Sequence, residues 1–249
     1  MRPDPASGHT GGVSIGLNVS IRYPDVGVLE RPARARAEGF TVIESWWPFD
    51  TAGPGDTEVD AFCASVTDAD VQLVAMNLFG GDMAAGERGI VGNPSRGSEF
   101  DDSLAVGLEV GARLGASMHN TLVGRGLLSD LAVERLATAA ATAQARGSQL
   151  LIEPLSAVPD YPVLTTADAF ALVGRLGPGS GVLADLYHLA VNGEDVDAAI
   201  ADRGAEFAHV QIADAPGRGA PGTGELPLAR WLRALRAAGY GGWVCLEHI

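Results

Sequence analysis

The chain has 249 residues, 17 of them Lys or Arg and 31 Asp or Glu, for a formal charge of −14. That length suits one large α/β barrel or two ordinary domains, and that charge is a poor footprint for a protein that must embrace nucleic-acid phosphates or an anionic membrane surface. The first dozen residues lack an apolar signal core, and no run approaches the roughly 20 apolar residues that span a bilayer, so a cytoplasmic protein with neither membrane nor nucleic acid as partner is expected.

Residues 1–12 read as a flexible N-terminal tail and 13–249 as a single domain. Within that domain, apolar runs rich in Val, Ile and Leu alternate with stretches of helical periodicity, the signature of βα units and a parallel sheet. The runs predict strands at 13–19, 41–45, 71–78, 117–123, 149–153, 181–185, 207–213 and 243–247, about one per 31 residues. Between the first two, Pro32 marks the start of a helix. Ser129 can cap a helix whose apolar face is Val133, Leu136, Ala137 and Ala140, with Gly147 closing it. Thr165 and Asp168 form a capping box ahead of Ala169, Leu172, Val173 and Leu176. Pro227 suits the first turn of a last helix that Gly239 ends.

Eight strands with helices between them, no shift in composition and no GxGxxG after the first strand favour a single (β/α)8 TIM barrel over an open doubly wound sheet. The eighth helix is missing, because the chain stops two residues after Glu247. The expectation is therefore a barrel truncated there or open on one side, with a risk that the last strand frays. Cys63 and Cys245 share no metal-type spacing and read as reduced structural thiols.

Reactive groups in such barrels sit at the C-terminal ends of the strands. Four of the runs end in a group able to bind a hard cation: LLIEP at Glu153, VLADLYH at Asp185, HVQIAD at Gln211 and WVCLEH at Glu247, separated by 32, 26 and 36 residues. Each alone could be a helix cap or half of an ion pair. A buried carboxylate or amide is costly without a partner, and four on consecutive strands suggest a shared one. Three carboxylates and an amide oxygen make an all-oxygen set, which suits one divalent cation, Mg2+ or Mn2+, better than zinc or copper.

A cation beside two glutamates suits removal of a proton next to a carbonyl, by way of an enediolate. Glu153 and Glu247 are the expected carriers of that proton, each using an oxygen the cation leaves free. His188 and Arg218, on the loops after Asp185 and Gln211, are candidate neighbours for substrate oxygens. His209 shares the strand face of Gln211 and is expected beneath it as a support.

At these residues the chain resembles the hydroxypyruvate isomerase family, within the larger group of xylose-isomerase-like barrels. The stretches that carry the likeness are NLFGGDMAAGERGI from Asn77, LLIEPLSAVPDYPVLTT from Leu150, LADLYHLAVNGED from Leu183, HVQIADAPGRGAPGTGE from His209 and AAGYGGWVCLEH at the end. The resemblance implies a metal-dependent isomerase of the aldose-ketose type that turns hydroxypyruvate into tartronate semialdehyde. It implies Glu153 and Glu247 as the catalytic pair, Glu153, Asp185, Gln211 and Glu247 as metal ligands, and His188 and Arg218 against substrate oxygens. It further implies a cover over the pocket from the loop holding Glu87 and Arg88, with Arg88 available to a carboxylate. Gly219 and Ala220 depart from the His and acid that follow the arginine in the family pattern, and Trp46 and Trp47 are bulkier than its usual residues. The tryptophans read first as packing of the barrel rim, and otherwise as a stacking wall for a longer sugar.

Alternatives with the same site are a 2-oxo-tetronate isomerase and a ketose 3-epimerase. Two more distant ones are a metal- and sugar-binding barrel without turnover and an abasic-site endonuclease, whose zinc site needs more histidines than the five present. Self-association into a homo-oligomer is left open, since no interface is legible.

Overall fold

In the computed structural model, which describes residues 9–10 and 13–249, the predicted strands form a closed parallel ring. They are β1 (Val13–Asn18), β2 (Val42–Ser45), β3 (Gln72–Asn77), β4 (Met118–Thr121), β5 (Gln149–Ile152), β6 (Ser180–Asp185), β7 (Phe207–Ile212) and β8 (Trp243–Leu246). Each pairs with the next in sequence, and β8 returns to β1 with Ser14 opposite Trp243 and Leu17 opposite Leu246. The ring is thus closed by backbone pairing of its first and last strands, so it is not open on one side. The predicted tail over 1–12 lies outside the described residues except for His9–Thr10, which pairs antiparallel with Val13 and Ser14.

The strands are short and buried on both faces, as expected of a sheet filled on its inside and covered by helices on its outside. Every residue of β6 is buried, and so is every residue of β2, including Glu44 and Ser45. Strands expected to run on to Leu78 and Val123 stop earlier, where the chain leaves the ladder for the loops above the barrel.

The caps are local and explain the helix boundaries. Ser129 accepts from the Ala132 amide at 3.2 Å to open Asp130–Ala145. Thr165 and Asp168 form the capping box of Thr166–Leu176, their reciprocal bonds being 3.1 and 3.0 Å. Pro32 stands in the first turn of Arg31–Ala37, and Gly239, at φ 96°, ends Leu228–Ala238. Pro227 is one residue earlier than expected, at the cap itself.

The face that Asp130–Ala145 buries is also turned from the predicted one. Ala132, Leu136, Ala139, Ala140 and Ala143 are buried, whereas Val133 and Ala137 lie at the edge of the contact. Small alanines allow the closer approach to the sheet.

Two helices rather than one separate β6 from β7. The first, Leu186–Val191, starts directly from Asp185, and the second is Val196–Arg203. A short helix, Val19–Arg22, likewise starts from Asn18 at the end of β1.

Candidate active site and cation centre

The C-terminal ends of β5 to β8 bring the four predicted groups to one wall of the barrel mouth. Glu153, Asp185, Gln211 and Glu247 are all buried. Ligand atoms of Glu153, Asp185 and His188 lie within 4.8 Å of one another. Arg218 ties Asp185 to Glu247: its Nη2 donates to Asp185 Oδ2 at 3.0 Å and to Glu247 Oε2, and its Nε donates to the Glu247 carbonyl at 3.1 Å. Glu247 is not frayed. Its amide donates to the Ile212 carbonyl at 3.0 Å, and its Oε1 accepts from Asn18 Nδ2 at 2.9 Å and from the Trp46 indole at 2.8 Å.

Local structure places each of these side chains. Asp185 caps Leu186–Val191 through the Tyr187 amide at 2.9 Å, and one turn on, that helix returns His188 to Asp185 with Nε2 3.5 Å from Oδ2. His188 is therefore a helical residue rather than a loop one. Arg218 sits at φ 56° in a loop clipped by the bridge between Asp214 and Gly219 and by Asp214 accepting from Ala215, Gly222 and Leu226. Burial works against a charge on Asp214, yet these backbone donors hold its carboxyl below the ordinary value.

His188 has a defined tautomer. The Ser156 amide donates to Nδ1 at 3.1 Å, and a main-chain N–H has nothing to accept, so the ring proton is on Nε2, facing the site. The Ser156 hydroxyl lies 2.6 Å from the same Nδ1. Burial pulls the ring down to about 4, so it is a neutral donor at physiological pH.

The two glutamates are pushed the other way. Burial, reinforced by the charge of Asp185 and opposed by the 2.6 Å bond from Asn120 Nδ2, raises Glu153 to about 8. Glu247 is raised by burial against the pull of Arg218. Desolvation likewise opposes the charge on Arg218, but Glu247 and Asp185 prevail and keep its guanidinium firmly protonated.

Beneath this wall lies a network of which the sequence reading foresaw His209 as a support but not Glu44. Glu44, buried on β2, accepts at Oε1 from Gln211 Nε2 at 2.5 Å and from Asn18 Nδ2 at 3.0 Å, while Oε2 lies 2.6 Å from His209 Nε2. His209 therefore supports Gln211 only through Glu44. The amide of Gln211 is spent at its nitrogen, whereas Oε1 is buried with no hydrogen-bond partner among the described residues. A bare, buried amide oxygen on the strand paired to that of Asp185, in a wall that also carries buried Glu153 and Glu247, suits a hard cation, so the residues fit one.

The cavity above the wall has a volume of about 550 Å3, and its sides include Trp46, Trp47, Leu78, Met83, Leu155 and Tyr187. Trp47 packs edge-on against Phe49 and Phe79 and donates its indole N–H to the Thr51 carbonyl, which is a rim-packing role. Trp46, by contrast, is bonded to Glu247. Arg88 borders the cavity, but its Nη1 donates to the carbonyls of Met83 at 3.0 Å and Glu87 at 2.6 Å. Glu87 pairs with Arg96 at 2.7 Å and so anchors the covering loop.

Residues 32–249 match the model of the xylose isomerase-like TIM-barrel family. A Streptomyces coelicolor protein provisionally named a hydroxypyruvate isomerase is 41% identical over 93% of this chain and 89% of the relative. The hydroxypyruvate isomerase of Escherichia coli is 30% identical over 93% and 91%, and the 2-oxo-tetronate isomerase of Cupriavidus necator 30% identical over 93% and 90%. A solved Brucella melitensis structure, titled AP endonuclease, family 2, superposes with a TM-score of 0.85 at 29% identity, covering 95% of this chain and 93% of the other.

Proposed function

The chain belongs to the hydroxypyruvate isomerase family of xylose isomerase-like TIM barrels, and from that footing we propose that it is a cation-dependent isomerase of a small α-hydroxy carbonyl acid, converting hydroxypyruvate to tartronate semialdehyde. The observation that carries this reading is the wall of buried carboxylates formed by Glu153, Asp185 and Glu247, with the unpartnered Oε1 of Gln211 on the strand paired to that of Asp185. Glu153, Asp185, Gln211 and Glu247 would hold one divalent cation, Mg2+ or Mn2+. When bound, that cation polarises the substrate carbonyl and acidifies the neighbouring C–H.

The chain's own residues supply the rest. One of Glu153 and Glu247 takes the proton from C3 of hydroxypyruvate and a proton is returned at C2, while the proton of the C3 hydroxyl passes to the C2 oxygen; the pair stands three strands apart in the ring. Burial raises both carboxyls above the ordinary value, Glu153 to about 8, which makes each a better proton acceptor, and general acid–base catalysis of this kind is worth about 10² to 10⁴-fold. His188, neutral and with its proton on Nε2, donates to a substrate oxygen without adding charge. Arg218, half-buried at the edge of the cavity, offers the substrate carboxylate a partner. The apolar sides limit water around the enediolate.

The cavity also has room for a four-carbon acid, so 2-oxo-tetronate is the second substrate in line, in keeping with the Cupriavidus relative. The −14 charge and the presence of His188 as the one histidine bordering the cavity speak against a phosphodiester substrate. The test is proton NMR in heavy water with Mg2+- or Mn2+-loaded protein. Deuterium should enter hydroxypyruvate as an aldehyde signal appears. The reading is lost if neither hydroxypyruvate, 2-oxo-tetronate nor simple ketoses exchange an α-hydrogen.

A further inference from the structure

We infer that Glu44 is a positioning residue that decides which end of the Gln211 amide faces the cation. A glutamine is a cation ligand at only one of two nearly isosteric ends. Turned over, it would point an NH2 at the ion and repel it. Nothing on β7 itself chooses between the two orientations. The choice comes from across the barrel: β2 is not a neighbour of β7, yet Glu44 Oε1 meets Gln211 Nε2 at 2.5 Å through the barrel interior. Glu44 Oε1 accepts from Asn18 Nδ2 as well as from Gln211 Nε2, so the NH2 end of Gln211 faces Glu44 and its oxygen faces away, where it is left bare among the described residues.

The same carboxylate aims a second amide. Asn18 uses its oxygen to cap Val19–Arg22, accepting from the amides of Ser20 at 3.0 Å and Ile21 at 3.3 Å. Its NH2 then bridges Glu44 Oε1 at 3.0 Å and Glu247 Oε1 at 2.9 Å. Glu44 thereby supports two groups of the upper wall, Gln211 directly and Glu247 through Asn18.

Glu44, His209 and Cys245 form a compact buried group whose ligand atoms lie within 4.8 Å of one another, and by type alone they could hold a softer metal. The hydrogen bonds assign them otherwise. Asn18 and Gln211 both donate to Glu44 Oε1, and His209 takes Oε2. Both oxygens are therefore engaged, and a cation there would face two amide NH2 groups.

This inference rests on the cation reading of the site, and the test separates the two. Mn2+ affinity is measured by electron paramagnetic resonance of the free ion, with circular dichroism to follow folding. The wild type should bind Mn2+; if it does not, the cation reading falls and this inference with it. Glu44→Leu should weaken Mn2+ roughly 10- to 100-fold, the usual effect of losing a group that orients a ligand. Glu44→Gln should stay within about threefold, because its amide oxygen can still accept from Gln211 while its NH2 turns to His209.

The decisive variant is Glu44→Leu with Gln211→Glu. A carboxylate has no wrong end, so the double variant should recover Mn2+ affinity to within about tenfold of wild type. Wild-type-like binding by Glu44→Leu alone, or a double variant that folds but binds no better than the single one, overturns the inference and leaves the cation reading standing. If Glu44→Leu does not fold, Gln211→Glu takes its place. It should lower Tm by setting two carboxylates against each other while keeping Mn2+ affinity within about tenfold of wild type, and adding Glu44→Gln should restore Tm with Mn2+ binding retained. Failure of that restoration overturns the inference equally.

Discussion

Glu247 meets Asn18, Trp46 and Arg218 with its carboxylate and Ile212 with its main chain, so its charge can be removed without removing its shape. Glu247→Gln is expected to lower deuterium exchange by about 10²-fold or more while leaving the circular dichroism spectrum unchanged. Trp46→Phe keeps the ring in the rim but deletes the indole donor. Loss of a hydrogen bond to a charged group is worth about 1.5 to 3 kcal/mol, so kcat/KM should fall roughly 10- to 100-fold, and a variant with unchanged kcat/KM would return Trp46 to rim packing alone.

His119 tests burial without chemistry. It is fully buried on β4, neither ring nitrogen has a partner among the described residues, and burial alone pulls it down to about 4. Between the ordinary value near 6.5 and about 4 the unfolded chain binds a proton that the folded chain refuses, so stability is present above that window and is lost as pH falls through it. At about 1.4 kcal/mol per unit, the cost of going from pH 7 to 5 is about 2 kcal/mol. His188 is displaced in the same direction. His119→Leu should shrink the difference in urea stability between pH 7 and pH 5 but not abolish it. An unchanged difference would show that His119 takes no part.

What could be read from the sequence at this scale followed position. Glu153, Asp185, Gln211 and Glu247 are legible because each closes an apolar run. Glu44 lies inside VIES, with Asn18 as its register partner across the β1 and β2 pairing, and a lone acid in a short run resembles a surface residue. The available signal was its placement between Val42, Ile43 and Ser45 in a strand that a closed barrel buries on both faces, where a charge needs donors. Which end of the Gln211 amide points outward could not be read at all, since it depends on a contact spanning 167 residues.

At the scale of elements, helix Gly97–Leu114 and helix Thr166–Leu176 respond oppositely to the same substitution. A Cβ at Gly111 would lie 2.5 Å from the Ala116 carbonyl and 2.9 Å from His119 Nε2, whereas one at Gly174 would meet nothing within 4 Å. Alanine brings a helix-propensity gain of about 1 kcal/mol at either place. At Gly111 overpacking of about 1 to 3 kcal/mol opposes it. Gly174→Ala should therefore raise the urea midpoint and Gly111→Ala lower it, and the same sign for both would refute the packing argument. Capping residues made the helix starts legible to within about a residue, because Ser129 and Thr165 act on amides three positions away. The helix Leu186–Val191 was not read, since its start depends on Asp185 serving both as cap and as site residue.

Taken as a whole, the barrel divides its labour between halves. Strands β1, β2 and β4 supply holders, namely Asn18, Glu44 and Asn120, while β5 to β8 supply the proposed cation ligands and proton carriers. The predicted (β/α)8 plan placed the strands of the second half correctly, and strand order alone sets the four proposed ligands on neighbouring strands. The first half's contribution reaches across the barrel interior and has no sequence period.

A cation bound to four strands of the folded ring has no comparable site in the unfolded chain, so it must stabilise the fold by mass action. At a free Mn2+ or Mg2+ concentration of 100 times Kd the gain is about 2.7 kcal/mol. For a domain of this size that is a rise in Tm of roughly 5 to 10 °C, reversed by EDTA. In Asp185→Asn the carboxylate that borders Glu153, His188 and Arg218 becomes neutral, and the rise should shrink to a degree or two at the same cation concentration. A wild-type Tm indifferent to both cations up to millimolar concentration would show that β5 to β8 are held by Arg218 and their hydrogen bonds alone, and the isomerase reading would lose its cofactor.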